Sequence, residues 1–239
     1  MKYALGIDFG GGSSKATLLA ENGKIAAVAA SEYPTYYPAV GYAEQNPSDW
    51  YESAKANIKS LLEESGAAAE DIVCISLDAA THTAVLADED FNVLRPSIYW
   101  TDTRCTGQVT FLNENHAKLI KELSYHAPGT IWTLPQIMWV RDNEPEIFKK
   151  IRKIMFAKDY VRHMLTGDFV TDFIEAEGSM LFDLNKGEWS GDLCDMCGID
   201  ISMLPEIKAP SDVIGAVTAK AAADTGLAEG TPVICGTTD

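Results

Sequence analysis

The chain has 239 residues, 46% hydrophobic and 9% aromatic, enough apolar material for a substantial core and too much for a disordered polymer. A formal net charge of −16 makes it a poor generic binder of nucleic acid or anionic membrane, while a local basic pocket for a small phosphate stays open. Five scattered cysteines (74, 105, 194, 197, 235) exclude a disulfide framework, no apolar run approaches the roughly 18–20 residues that span a bilayer, and no secretory leader is visible, so a cytoplasmic protein is expected.

In chain order, YALGID (3–8) reads as a short buried strand and KATLLA (15–20) as a second. Asn22-Gly23 is a hairpin signal leading to a third strand at about 25–33. Asn46-Pro47, with Asp49 two residues on, opens a helix. Trp50, Ala54, Ile58, Leu61 and Leu62 give that helix its apolar stripe, and Gly66 ends it. IVCISL (72–77) has a buried-strand pattern, TAVLADEDFNVLRP suggests two short strands around an acidic turn, and SIYW (97–100) another strand. Helices follow at about 108–125, 134–142, 145–151, 158–166, 174–182, 190–197 and 216–225, before a final apolar run in PVICGTTD. The alternation indicates an α/β layered domain.

The segment IDFGGGSSK (7–15) resembles a phosphate loop, and three kinds compete. A Walker A loop requires a glycine before its lysine, and Lys15 has none. A dinucleotide fingerprint requires a third glycine where Lys15 stands, and a helix where a hairpin is predicted. The remaining possibility is a hairpin loop of the actin-like ATPase kind, in which glycines let backbone amides close on phosphate oxygens and small hydroxyl residues add donors. The blander reading is an ordinary glycine-rich hairpin.

Several further segments carry a family resemblance. GYAEQNPSDWYES (41–53), THTAVLADEDFNVLRPSIYWTDTR (81–104), LPQIMWVRDNEPEIFKKI (134–151), AKDYVRHMLTGDFVTDFIEAEGSMLFDLNKGEWS (157–190) and TPVICGTTD (231–239) all resemble, in order, blocks of the FGGY carbohydrate kinases. Xylulokinase-like members look closest, with gluconokinase-like members left open.

The resemblance implies an actin-like (ribonuclease H-like) α/β domain with a mixed five-stranded sheet flanked by helices. It also implies that residues 1–239 form the N-terminal, sugar-binding domain of a two-domain enzyme, with the C-terminal nucleotide-binding domain absent from this chain. The activity implied is transfer of the γ-phosphoryl of ATP, with Mg²⁺, to a hydroxyl of a ketopentose or related sugar or polyol. Asp239 matches the catalytic base. Asp8 matches the aspartate that orients magnesium, with Asp239 as its counterpart at the metal, and Gly11, Gly12, Ser13, Ser14 and Lys15 would line the phosphates. His82 matches the histidine of a sugar-contacting Met-His pair, although Thr81 stands where that pair has methionine. The LDAATH loop is two residues longer than a xylulokinase-like GQMH, which resembles gluconokinase-like members instead. Trp100, Asp102 and Arg104 form the W-x-D-x-R run near the sugar, where a carboxylate and a guanidinium can bind adjacent hydroxyls. Asp102 could equally cap a helix, with Arg104 beside it. Thr237 and Thr238 replace small residues before the base, where Thr238 could bond the substrate.

Cys194 and Cys197 form a lone C-x-x-C with no second ligand pair and read as the inward face of a short helix. Expected partners are a small sugar or polyol and ATP, with no nucleic acid and no membrane, and a homodimer is left open. The alternatives are a non-catalytic actin-like sugar-binding or scaffold domain, and another ATPase of the same superfamily. The chain by itself is expected to fold and not to turn over ATP appreciably.

Overall fold

The structure is a computed structural model and describes residues 1–238. Its centre is a six-stranded sheet. We label the strands β1 (Tyr3–Phe9), β2 (Ser13–Ala20), β3 (Ile25–Glu32), β4 (Ile72–Ala79), β5 (Val213–Ala216) and β6 (Pro232–Ile234); the spatial order is β5-β6-β4-β1-β2-β3. β1, β4 and β6 run parallel, whereas β2, β3 and β5 lie antiparallel to their neighbours, so the sheet is mixed. The resemblance implies a sheet of five strands. The sixth is β5, too short and too weakly alternating (VIGA) to be read as a strand without its partner.

Period-two patterning sets the faces. Leu5, Ile7 and Phe9 of β1 and Ser14, Ala16 and Leu18 of β2 point to one side and are buried; Gly6, Asp8 and Lys15 point to the other and are exposed. The buried side is covered by helix α1 (Pro47–Ser65), which packs on β2 and β3. Helices α2 (Ala157–Thr166) and α4 (Ala219–Thr225) pack against α1 in the same layer. Proline at the first helical position starts α1. Gly66, at φ 65°, ends it by donating its amide to the carbonyl of Leu62. Trp50, Ala54, Ile58 and Leu61 are its buried stripe.

A second apolar cluster lies beside the sheet. It is built on the two-stranded ribbon of Ala84–Ala87 with Lys153–Phe156 and on the helices at Thr106–Asn115, Ala117–Ser124 and Thr133–Asn143. The expected helix at 108–125 breaks at His116 (φ −133°), which gives two shorter ones. The helix expected at 174–182 is the single short α3 (Phe173–Gly178), after which Met180 takes φ 62°. Cys194 and Cys197 sit in this second cluster, and burial raises both thiols well above their ordinary range. No helix among the described residues is long and apolar enough to cross a membrane.

Candidate active site

The carboxyl ends of β1, β4 and β6 meet at one edge of the sheet, where open α/β sheets place their ligands. Asp8 is the last residue but one of β1, and its register partners are Asp78 on β4 and Lys15 on β2. With Gly6, Thr17 and Ser76 these three line an open depression of about 240 Å³ on the face opposite α1. Three larger depressions, about 580, 650 and 280 Å³, contain none of the expected site residues.

The glycine loop between β1 and β2 is fixed by its carbonyls. Tyr33 donates its hydroxyl to Gly10 O (2.5 Å) and its amide to Gly12 O (3.0 Å), while Gln45 Nε2 (2.9 Å) and Thr35 Oγ1 (3.0 Å) both donate to Gly11 O. A side chain at Gly11 would stand 2.9 Å from the Tyr99 hydroxyl. Gly11, Gly12 and Ser13 are exposed along the loop. Ser14 corrects the sequence reading. Strand alternation turns it to the buried face, where it donates to Ser53 Oγ (2.8 Å) and accepts from Asn57 Nδ2 (2.8 Å). Its hydroxyl ties the loop to α1 and is turned away from the exposed face that Ser13 shares.

The chain after β6 is laid across the end of β4. Gly236 has φ 76°, and a Cβ there would come 2.1 Å from Leu77 O, so only glycine fits. Thr237 N donates to Leu77 O (3.3 Å), and Thr238 Oγ1 donates to Ala79 O (2.7 Å). Thr238 is buried and fastens this strap to β4, so its hydroxyl proton is spent on Ala79 O and only its acceptor side is left for the expected sugar contact. Asp239, the expected base, lies outside the described residues.

Thr81 and His82 follow β4 in a half-buried turn. His82 is a non-glycine residue at φ 67°, a conformation that persists only when its surroundings impose it. Its amide donates to Glu175 Oε1 (2.9 Å) and its carbonyl accepts from Thr133 Oγ1 (3.1 Å). Its ring stands edge-on to Trp132 (4.7 Å between centroids), which stacks on His126 (4.2 Å). Burial, with His126 nearby, pushes the imidazole down to about 4, so it is neutral near pH 7.

The W-x-D-x-R residues separate. Trp100 is exposed, tilted against Tyr99. Asp102 and Arg104 form a buried pair, which matches the alternative in which Asp102 accepts a local backbone amide with Arg104 beside it rather than presenting both groups to a sugar. Asp102 Oδ2 accepts from Ala43 N (2.6 Å) and Oδ1 from Arg104 N (2.7 Å). Arg104 bonds Asp102 through Nε and Nη2 and Glu44 through Nη1 (2.7 Å), with its guanidinium 3.9 Å from the Tyr42 ring centroid. Through Ala43 N, Glu44 and Arg104 the pair locks the loop at 41–44 to the start of the second cluster.

Sequence reasoning missed the buried charge cluster beside the edge. Lys158 Nζ bonds Asp159 Oδ1 (2.7 Å) and Asp172 Oδ2 (2.8 Å), all fully or almost fully buried. Arg162 bonds Asp159 Oδ1 (3.0 Å), Cys235 O (2.5 Å) and Val170 O. Burial opposes the charge on Lys158, but Asp159, Glu175 and Asp172 more than offset it and raise its pKa. Glu175 is pushed up to about 7, first by burial and then by Asp159 and Asp172, against the pull of Lys158 and the His82 amide. The signal was disguised: Asp172-x-x-Glu175 at a helix start reads as a capping box. Asp172 does cap α3, accepting from the amides of Ile174 and Glu175, but Glu175 turns inward.

The model for "FGGY family of carbohydrate kinases, N-terminal domain" matches residues 3–239. The xylulose kinase of Bacillus subtilis (strain 168) is 37% identical over 239 residues, covering 100% of this chain and 48% of that protein. The solved xylulose kinase of Rhodospirillum rubrum superposes with a TM-score of 0.95 at 31% identity, covering 100% of this chain and 49% of that one. A gluconate kinase from Lactobacillus acidophilus superposes at 0.94 with 27% identity, over 100% and 48%. The chain thus spans about half the length of the curated relatives it matches. These neighbours identify the α/β layering around a mixed sheet as the actin-like ATPase fold.

Proposed function

The chain belongs to the FGGY family of carbohydrate kinases, and from that premise we propose that it is the sugar-binding half of an ATP-dependent kinase acting on a ketopentose, with D-xylulose as the leading substrate. The observation that carries this reading is the single sheet edge on which Asp8, Asp78 and Lys15 stand in register while the 236–238 strap is bonded to β4 beside them. Phosphoryl transfer depends mainly on positioning and on stabilising charge, and this edge offers both.

The donor set fits a magnesium ion that keeps its waters and shares the nucleotide's phosphates. Asp8 and Asp78 would hold it by one or two carboxylates, and no group of three or more metal-ligating side chains forms a closed cage among the described residues. Such an ion supplies charge neutralisation at the transferring phosphate. In this reading the loop at Gly11–Ser13 presents amides to the phosphates, because its carbonyls are already held, and Lys15 adds a cation. His82 and Trp132, with Trp100 at the rim, would line the sugar. Asp239 would take the proton from the attacking hydroxyl as its oxygen bonds the γ-phosphorus and ADP departs.

The relatives carry kinase names, which does not favour a non-catalytic scaffold. Calorimetric titration with D-xylulose, using D-gluconate as competitor, tests the substrate class. Saturable D-xylulose binding that falls at least tenfold in His82→Ala supports it. Tighter binding of D-gluconate would move the chain to the gluconate kinases.

A further inference from the structure

We propose that Glu175 is a positioning residue for the turn at His82, that it holds the turn by its backbone amide, and that gain or loss of the Glu175 proton loosens or tightens it. The inference rests on the reading that this turn binds the sugar.

α3 grips the turn at two points. Glu175 Oε1 accepts the His82 amide at 2.9 Å across 93 residues of sequence. Three residues on, Gly178 lies under the imidazole, where a Cβ would meet His82 Cε1 at 2.4 Å. The carbonyl of His82 is held by Thr133 and its ring by Trp132, so its left-handed backbone is enforced from three sides. Of these restraints, only the carboxylate can change its charge near neutral pH.

The charges around Glu175 explain why it can. Lys158, Asp159 and Arg162 on α2, with Asp172 at the start of α3, leave Glu175 as the third carboxylate facing two cations. With Glu175 protonated the cluster is neutral; with Glu175 ionised it carries one excess negative charge. Glu175 is fully buried, and its Oε2 has no hydrogen-bond partner among the described residues. An ionised carboxylate accepts the His82 amide more strongly than a neutral one, so the turn tightens as pH rises through about 7. Arg162 carries the same cluster to the carbonyl of Cys235, next to Gly236, so the sugar turn and the strap share one buried anchor.

The experiment is amide hydrogen exchange on residues 80–84, corrected for intrinsic rate, in wild type and Glu175→Gln at pH 6 and pH 8. Gln keeps the shape and leaves the cluster neutral. Wild-type protection of the segment should be higher at pH 8 than at pH 6. Glu175→Gln should lose roughly five- to tenfold of it at pH 8 and little at pH 6. Equal protection in the two proteins at pH 8, or a pH-independent wild-type segment, overturns the proposal, and the second result requires no variant. D-xylulose titrations at the same two pH values form the second arm. Affinity should improve with pH in wild type and be flat in the variant. If exchange responds as expected and D-xylulose does not bind wild type, the substrate reading fails and the positioning role stands.

Discussion

Glu175 and His82 touch through one hydrogen bond and bias stability in opposite directions. Folded Glu175 keeps its proton to about 7, whereas the unfolded chain releases it near 4.5. Stability therefore falls as pH rises from about 4.5 to 7, by about 3 kcal/mol on this account. Folded His82 stays neutral down to about 4, whereas the unfolded chain takes a proton below about 6.5. Stability therefore rises over the window from about 4 to 6.5, by a similar amount. The two slopes offset one another in wild type. Urea unfolding of Glu175→Gln should expose the His82 slope alone: stability climbs from pH 4.5 to 6.5 and does not decline from there to 7. An unchanged profile would contradict the assignment. Asp102 belongs at the same scale. Asp102→Ala leaves Arg104 buried with a lost partner, so it should cost roughly 3–5 kcal/mol of stability and change D-xylulose affinity less than twofold. A large affinity loss at full stability would restore Asp102 to the sugar site.

At the scale of elements, the two devices that shape the edge are the glycine loop and the strap. Ser14 bonds two α1 side chains, so Ser14→Ala should lower stability by roughly 1–3 kcal/mol while leaving the KM for ATP unchanged in the whole protein. Gly236→Ala forces both a positive φ and a close contact with Leu77 O, and should cost at least about 2 kcal/mol in urea unfolding. A silent Gly236→Ala would mean that the strap does not depend on that approach. The strand-loop-strand opening and α1 were legible in the sequence because alternation, Asn22-Gly23, Asn46-Pro47 and Gly66 are local signals. The faces were harder to read. Ser13 and Ser14 look alike in sequence, yet the pleat sends one outward and the other into α1. Asp102 and Arg104 look like sugar ligands until Glu44 and Ala43, some 60 residues away, take up their hydrogen bonds. Glu175 was hidden because its partner amide belongs to a turn 93 residues earlier.

At the scale of the whole molecule, one sheet edge gathers residues from the first strand, from a strand some 70 residues later and from the last described residues. Asp8, Asp78 and the 236–238 strap meet because β1, β4 and β6 are parallel and end together. The second apolar cluster supports Trp132 and Thr133 from the other side and so fixes the His82 turn. The family blocks made the overall architecture readable. The buried cluster joining the turn to the strap needed coordinates. The proposed role of this edge is phosphoryl transfer to a sugar. Its most direct test is D-xylulose-dependent ADP release by the whole protein carrying this chain, in wild type, Asp8→Asn and Asp239→Asn. Turnover is expected in wild type, with a loss of about 10²–10⁴-fold in kcat for Asp239→Asn and with Asp8→Asn also impaired. Sugar-dependent turnover that survives undiminished in Asp239→Asn would contradict that role.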